Sequence, residues 1–224
     1  MSYQTKNRTA ARPARTPSEL TNLGGFPERR KPDAATARKN FMAAMSKAAN
    51  SVTIVTTDGP GGRYGLTVSA VSSVSADPPL LLACINRSSP LCHAIDANQA
   101  FSVNLLSARQ QRLASAFAGF LTPSENYDFR LASWHRGTTG TPGLANAAAV
   151  FECRLAKVVA AGSHKIFIGK VLDSHSSEAT TLLYNNRRFG IALTWSATTG
   201  NFTGEQGSTG YQDFATNHPQ THFK

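Results

Sequence analysis

The sequence has few of the residues that build disulfide scaffolds or zinc sites. It contains three cysteines among 224 residues, an odd number, and none of them forms a Cys-x-x-Cys pair. We expect Cys84 and Cys153 to be small core residues on strands, and Cys92 to lie in a short helix. His218 and His222 are four residues apart, but Pro219 stands between them, so no metal site is predicted.

Long apolar segments are also missing. No run of apolar residues approaches the length of about 18 that a membrane-spanning helix needs. The N-terminal residues are polar, basic and proline-rich, without the apolar stretch of a signal peptide. We therefore expect a cytoplasmic protein that has no membrane partner.

Acidic residues are scarce relative to basic ones, and the formal net charge is +10. Residues 1–40 carry nine Lys or Arg and three Asp or Glu, so most of the excess lies in an N-terminal arm. Aromatic and basic residues are not interleaved as on a nucleic-acid stacking surface, so we predict no nucleic-acid partner. We predict a disordered basic tail over 1–32, one domain over 33–197 and a polar tail over 198–224.

The common nucleotide-binding motifs are absent as well. The sequence has no Gly-x-Gly-x-x-Gly that opens a helix, and no P-loop. Short β-branched runs at hairpin-like spacing outnumber alternating strand and helix patterns. This arrangement favours a mainly β fold, an antiparallel barrel with peripheral helices.

The pattern predicts three helices and about seven strands. Asp33 is expected to cap the first helix, and Ser107 the third. The helices are predicted over 34–49, 90–97 and 108–118. The strands are predicted over 52–57, 64–75, 80–86, 101–106, 149–160, 164–173 and 189–195, with a short further strand near 131–135.

The segment from Tyr64 to Ser89 indicates the function most directly. Thr67 and Ser69 would share one face of a strand, where hydroxyls could bind the edge of a heteroaromatic ring or simply face solvent. The turn Asn86-Arg-Ser-Ser89 lies between a strand and a helix. Backbone N–H groups at that helix start and the Arg87 guanidinium both favour an anion.

Several motifs occur in the order seen in the flavin reductase-like, FMN-binding split-barrel family. They are Phe41-Met-x-x-Met45, Val52-Thr-Ile-Val-Thr-Thr57, Gly65-Leu-Thr-Val-Ser-Ala70, Val74-Ser-x-Asp-Pro-Pro-Leu80, Ser102-Val-Asn-Leu-Leu106, Phe151-Glu-Cys153, His164-Lys-Ile-Phe-Ile-Gly169 and Leu182-Leu-Tyr184. Over about 35–195 the chain resembles the small reductase components of two-component flavin monooxygenases, such as the 4-hydroxyphenylacetate and phenol hydroxylase reductases.

The resemblance implies a Greek-key split barrel that forms a homodimer, with flavin bound near the subunit interface. It implies that FMN or FAD is reduced by NADH or NADPH, and that reduced flavin diffuses to a partner monooxygenase. Matched residues would line the flavin ring (Gly65, Leu66, Thr67, Ser69, Ala70), meet its ribityl and phosphate end (Asn86, Arg87, Ser88, Ser89), close on it (Ala118, Gly119) and contact the nicotinamide nucleotide (His164, Tyr184, Asn185).

Two positions depart from the family pattern. The usual Gly-Asp-His is Gly162-Ser163-His164 here, and the late tyrosine turn is Tyr184-Asn-Asn-Arg-Arg188. Ser163 and the two arginines would suit a 2′-phosphate, so the choice between NADH and NADPH stays open. Two alternatives also stay open: a flavoprotein that keeps FMN and passes electrons to iron or a protein, and a non-enzymatic flavin-binding module.

Overall fold

The computed structural model describes residues 30–195 and 202–203. The predicted tails lie almost wholly outside these ranges, as do His218 and His222. The boundary between two compact units falls between Ala43 and Ala44, within the last turn of helix α1, Ala34–Met45. As predicted, Asp33 caps this helix, because its Oδ1 accepts from the Thr36 backbone N–H at 2.8 Å.

Seven strands of the second unit form one antiparallel sheet, in the order β3-β2-β6-β9-β10-β5-β4. Its long central hairpin is β9 with β10, and each strand of that pair has 13 residues. The strands are β2 Thr53–Thr57, β3 Tyr64–Val68, β4 Val71–Ala76, β5 Pro79–Asn86, β6 Ala100–Leu105, β9 Ala149–Ala161 and β10 His164–Ser176.

The two edge strands of this sheet, β3 and β4, are neighbours in the sequence. Only Ser69 and Ala70 join them, so Val68 and Val71 lie at most about 11 Å apart. The Cys84 backbone N–H, on β5, donates to the Ala70 carbonyl at 2.9 Å. The sheet therefore curls until its edges meet at this junction, while no ladder joins β3 to β4. This is a split barrel, and the predicted fold class is confirmed.

Two helices pack on the barrel, α2 Pro90–Asn98 and α3 Gln111–Phe117. A 3₁₀ turn, Ala108–Gln110, precedes α3, so the third predicted helix is irregular at its start. One buried cluster fills the barrel around Phe101 and Phe167. A second cluster lies under α3 around Phe117 and Leu182. No helix among the described residues is both long enough and apolar enough to span a bilayer.

Smaller strands extend or flank the barrel, and the sequence pattern missed several of them. β1 Asn50–Ser51, β11 Leu183–Asn185 and β12 Arg188–Gly190 form one small sheet. β7 Trp134–Arg136 pairs with β8 Pro142–Leu144, and β13 Thr194–Trp195 pairs with β14 Phe202–Thr203. The single strand predicted over 189–195 is wrong, because residues 191–193 separate two strands.

The continuous strand predicted over 64–75 is also wrong. The segment is two strands that belong to opposite edges of the sheet, separated by Ser69 and Ala70. Alternation along one strand therefore does not relate Thr67 to Ser69. The Thr67 hydroxyl donates to the Ala114 carbonyl of α3 at 2.7 Å, whereas Ser69 is exposed at the junction.

Asn98, at the end of α2, ties the glycine-rich turn of residues 58–62 to the barrel. Its Oδ1 accepts from the Gly61 N–H at 2.6 Å, and its Nδ2 donates to Thr57 Oγ1 and the Gly62 carbonyl, each at 3.0 Å. Three hydrogen bonds from one half-buried amide make this side chain the main link between the turn and α2.

We predict that Asn98→Ala lowers the free energy of unfolding by about 2–3 kcal/mol, since several partly buried partners lose their hydrogen bonds. Urea denaturation followed by circular dichroism measures this change. Gln111→Ala, which removes one exposed side chain of α3, is the control and should change stability by less than about 0.5 kcal/mol. Equal effects of the two substitutions would contradict the role of Asn98.

Candidate functional site

The end of the β5–β10 pair carries a strip of half-buried side chains on the outer face of the sheet. Asn86 lies directly opposite His164, and Cys84 lies opposite Ile166, so these four side chains point to the same side. The strip begins beside Ala70, whose carbonyl accepts from the Cys84 N–H. The fold thus brings together two sets of predicted residues, Ser69 and Ala70 at the barrel junction, and Asn86 with His164 at the strand end.

Hydrogen bonds within the turn after β5 fix its shape. Asn86 Oδ1 accepts from the Ser88 N–H at 3.0 Å and from the Ser88 hydroxyl at 2.9 Å. The Ser89 N–H donates to the Asn86 carbonyl at 3.0 Å, and the Ser89 hydroxyl accepts from the Leu91 N–H at 3.3 Å. Ser89 is therefore the N-cap of α2, and Asn86 organises the turn that leads into it.

These bonds correct one part of the anion-site prediction. The Arg87 N–H donates to the Ser163 carbonyl at 3.0 Å, so the amides of residues 87, 88 and 89 all have partners within the protein. Pro90 has no N–H to offer. Side chains, rather than free backbone amides, are the groups at this turn that can bind an anion.

Two cationic side chains lie at this corner, one paired with a carboxylate and the other exposed. Lys165 Nζ is 2.5 Å from Asp96 Oδ2, and that hydrogen bond raises the pKa of Lys165. Arg87 is exposed, and no carboxylate in the described part of the chain lies within ion-pair distance of it. Arg87 is therefore the guanidinium at this corner that can bind a phosphate.

A second set of predicted residues meets where α3 covers β3. An added Cβ at Gly65 would lie 2.6 Å from the buried Phe117 ring, so glycine is needed for this close approach. At Gly119, where φ is +77°, an added Cβ would lie 2.6 Å from the Tyr127 hydroxyl oxygen. Leu66 packs at the edge of the barrel core, and the Ala118 N–H donates to the Ala114 carbonyl at 3.0 Å. This set lies where the C-terminal end of α3 covers the first residues of β3.

Tyr184 and Asn185 belong to a third place, on the small sheet. Tyr184 pairs with Asn50, its ring lies 5.4 Å from that of Phe189, and burial raises the pKa of its hydroxyl. Asn185 Nδ2 donates to the Lys47 carbonyl at 2.8 Å. No hydrogen bond or strand pairing given by the described residues joins these two to Asn86 or His164. Their predicted contact with the nicotinamide nucleotide stays a prediction.

A cavity of about 320 Å³ is lined by residues of seven strands, β1, β2, β4, β5, β6, β9 and β10. Apolar side chains form its floor, hydroxyls form much of its rim, and no charged residue lines it. None of the predicted flavin or nucleotide residues lines it either. An uncharged cavity is poorly suited to a phosphate.

The three thiols are buried or half-buried, and none forms a disulfide. Burial raises the pKa of Cys84 and Cys92, and raises that of Cys153 to about 12. A thiol with so high a pKa is almost entirely protonated at neutral pH, so none of the three is activated as a nucleophile. Among the described residues, no group of three metal-ligating side chains lies together.

Sequence reasoning missed several neighbours of the site. Ile166 lines the strip, Lys165 pairs with Asp96 of α2, and Ser163 Oγ lies 2.9 Å from His164 Nδ1. The alternation of Leu80, Leu82 and Cys84 against Ile166 and Ile168 was a usable signal for the strip. It required the β5–β10 register, which only long-range pairing supplies.

Comparison with known proteins gives a consistent result. The sequence profile of the flavin reductase like domain family matches residues 45–192. The FMN reductase (NADH) RutF of Ancylobacter novellus is 41% identical over 156 residues, which cover 69% of this chain and 85% of that protein.

Solved structures show the same likeness. A flavin reductase from Haemophilus somnus 129PT is 39% identical with a TM-score of 0.65, over 69% of this chain and 98% of that one. A homologue of nitrilotriacetate monooxygenase component B from Mycobacterium thermoresistibile is 27% identical with a TM-score of 0.64, over 70% and 88% of the two chains.

We predict that Asn86→Ala weakens FMN binding about tenfold, because the turn that presents Arg87 loses two of its hydrogen bonds. Quenching of FMN fluorescence on titration with protein measures the affinity. Asn86→Asp keeps the acceptor oxygen but adds a negative charge, so it should also bind FMN weakly while melting like the unmodified protein. Ser72→Ala on the exposed face of β4 is the control. Unchanged affinity in Asn86→Ala would remove this turn from the flavin site.

Proposed function

The chain belongs to the flavin reductase-like domain family, and we propose that it supplies reduced flavin to a separate monooxygenase. Its activity is that of an NADH:flavin oxidoreductase, in keeping with its 41% identity to a named FMN reductase (NADH) over most of both chains. The monooxygenase partner is supported by the likeness to a monooxygenase component B, which covers 88% of that chain.

The strip from Ala70 to His164 is the observation that carries the proposal. At one end, small side chains at Ser69 and Ala70 leave a flat ring room to lie against the barrel junction. Cys84 and Ile166 continue a half-buried, weakly polar surface. At the other end, Arg87 supplies a cation for a phosphate. The groups present therefore fit a flavin nucleotide, with its ring at the junction and its phosphate at the turn.

The nicotinamide and flavin rings supply the redox chemistry, in which a hydride passes directly from one to the other. The work left to the protein is to hold both rings in contact and to keep water away. Gly65 lets the Phe117 ring pack closely against β3, and Asn86 shapes the turn that carries Arg87. His164, opposite Asn86, is the side chain that we place on the nicotinamide nucleotide. No residue needs to act as a nucleophile or a general base.

We further infer a homodimer. The outer face of β5, β9 and β10 carries a stripe of partly exposed apolar side chains that continues the strip away from His164. It consists of Leu80, Leu82, Ile168 and Val159, the last of which is 38% exposed. Contiguous apolar surface on a sheet face is typical of an interface. Covering this stripe with a second copy would place the flavin at the edge of the interface.

The free thiols support a reducing compartment, and we place the protein in the cytoplasm. We also retain the division into an N-terminal arm, a catalytic domain over 33–197 and a C-terminal tail as a proposal. The profile match over 45–192 lies inside the proposed domain.

We predict that the purified protein oxidises NADH in proportion to added free flavin until the flavin site saturates. The reason is that flavin is a substrate, which leaves after reduction. Stopped-flow absorbance at the NADH band, with FMN, FAD and riboflavin in turn, measures the rates. NADPH in place of NADH tests the nucleotide preference, and desalted protein without added flavin shows whether any flavin is retained.

The matched variants are Ser69→Trp and Ser124→Trp. An indole at the junction should fill the ring site and raise the KM for flavin at least tenfold, whereas Ser124 lies on an exposed loop and should tolerate the change. No NADH oxidation with any flavin would refute the enzyme. Full activity after desalting, without added flavin, would favour the flavoprotein that retains FMN.

We predict that Ile168→Glu converts a dimer to a monomer, because a carboxylate on the apolar stripe would lose more solvation in the interface than its cross-strand neighbour Lys157 can return. Light scattering after size exclusion should give twice the 23.9 kDa chain mass for the unmodified protein and the single mass for the variant. Gln111→Glu, an exposed change on α3, should remain dimeric. A folded Ile168→Glu dimer, or an unmodified monomer, would exclude this face as the interface.

A further inference from the structure

Ser163 is held on both sides at the tip of the β9–β10 hairpin. Ala161 pairs with His164, so Gly162 and Ser163 alone form the loop, with Gly162 at a φ of +57°. The Ser163 carbonyl accepts from the Arg87 N–H at 3.0 Å, which ties the loop to the turn after β5. The Ser163 hydroxyl lies 2.9 Å from Nδ1 of His164. These contacts hold the backbone of Ser163 in place, and its hydroxyl contacts the ring from this fixed position.

This contact determines what His164 can offer to a ligand. In a neutral imidazole one nitrogen carries the proton and the other accepts, and the partner of one nitrogen sets the role of the other. An imidazole nitrogen is a stronger acceptor than a hydroxyl oxygen, so the Ser163 hydroxyl donates to Nδ1. The proton of the ring then resides on Nε2, which becomes a donor.

We propose that Ser163 is a positioning residue that holds His164 as the Nε2–H tautomer, a neutral donor to an acceptor oxygen of the nicotinamide nucleotide. This rests on the proposed function, which places the nucleotide at His164. The charged groups at this corner have roles different from that of His164. Arg87 supplies the exposed positive charge, Lys165 is paired with Asp96, and His164 offers a directed hydrogen bond.

A carboxylate at position 163 would act differently. It would accept from Nδ1–H and stabilise the doubly protonated, cationic ring. A hydroxyl gives no such stabilisation of the cationic ring. Ser163→Asp and Ser163→Ala therefore perturb the ring in two distinguishable ways.

The first test is spectroscopic and needs no turnover. Long-range ¹H–¹⁵N correlation spectra at pH 8 distinguish a protonated from an unprotonated ring nitrogen for each of the six histidines, with His164→Gln used for assignment. We expect Nε2–H for His164 in the unmodified protein and in Ser163→Thr. We expect a mixture of tautomers in Ser163→Ala, and a doubly protonated fraction in Ser163→Asp.

The second test is kinetic. Ser163→Ala should raise the KM for NADH about three- to tenfold with kcat within twofold, as loss of one oriented hydrogen bond predicts. Ser163→Thr should restore the KM, and the KM for flavin should stay constant in both. An unmodified protein that fails to oxidise NADH refutes the proposed function. An active Ser163→Ala variant with an unchanged His164 tautomer, or an unchanged KM for NADH, refutes the role of Ser163 alone.

Discussion

The two-residue connection between β3 and β4 is the constraint on which the rest of the barrel depends. Strands at opposite edges of a seven-stranded sheet are tied within two residues, so the sheet must curl, and the Cys84–Ala70 hydrogen bond locks β5 against the junction. Curling brings the edge strands β3 and β4 together at the junction and encloses one apolar core. It also places Ser69 and Ala70 at the start of the strip that leads to His164. The contact that closes the barrel therefore also brings Ser69 and Ala70 beside the strip.

Most polar groups at the corner beyond the strip have partners within the protein. Backbone amides after β5 are used to shape the turn, and Lys165 is neutralised by Asp96. Arg87 and His164 are the side chains of this corner that our proposal assigns to the nucleotides. A site that offers few charged contacts holds its ligands less tightly. This suits a protein that must release two different nucleotides after each reaction. Specific contacts then matter more than total charge, despite the formal net charge of +10.

Local signals in the sequence predicted the fold class, the cap at Asp33 and most long strands. These signals failed where contacts between distant parts of the chain determine the strand boundaries and the hydrogen-bond partners. Residues 64–75 contain the β-branched residues of a continuous strand, yet the chain changes sheet edge at Ser69. The role of Thr67 depends on α3, and the role of the backbone amides after Asn86 depends on Ser163, far along the chain. Candidate site residues came mainly from the family resemblance, and register then showed which of them are neighbours.

The protonated state of the cysteines has a chemical consequence for a protein of this kind. Free reduced flavin reacts with dioxygen and yields hydrogen peroxide, so such an enzyme works beside an oxidant that its own product generates. Peroxide attacks the thiolate and hardly the thiol. Burial raises the pKa of all three thiols, that of Cys153 to about 12, which leaves very little thiolate at neutral pH. The same protection extends to Cys84, whose thiol is half-buried in the strip rather than in the core.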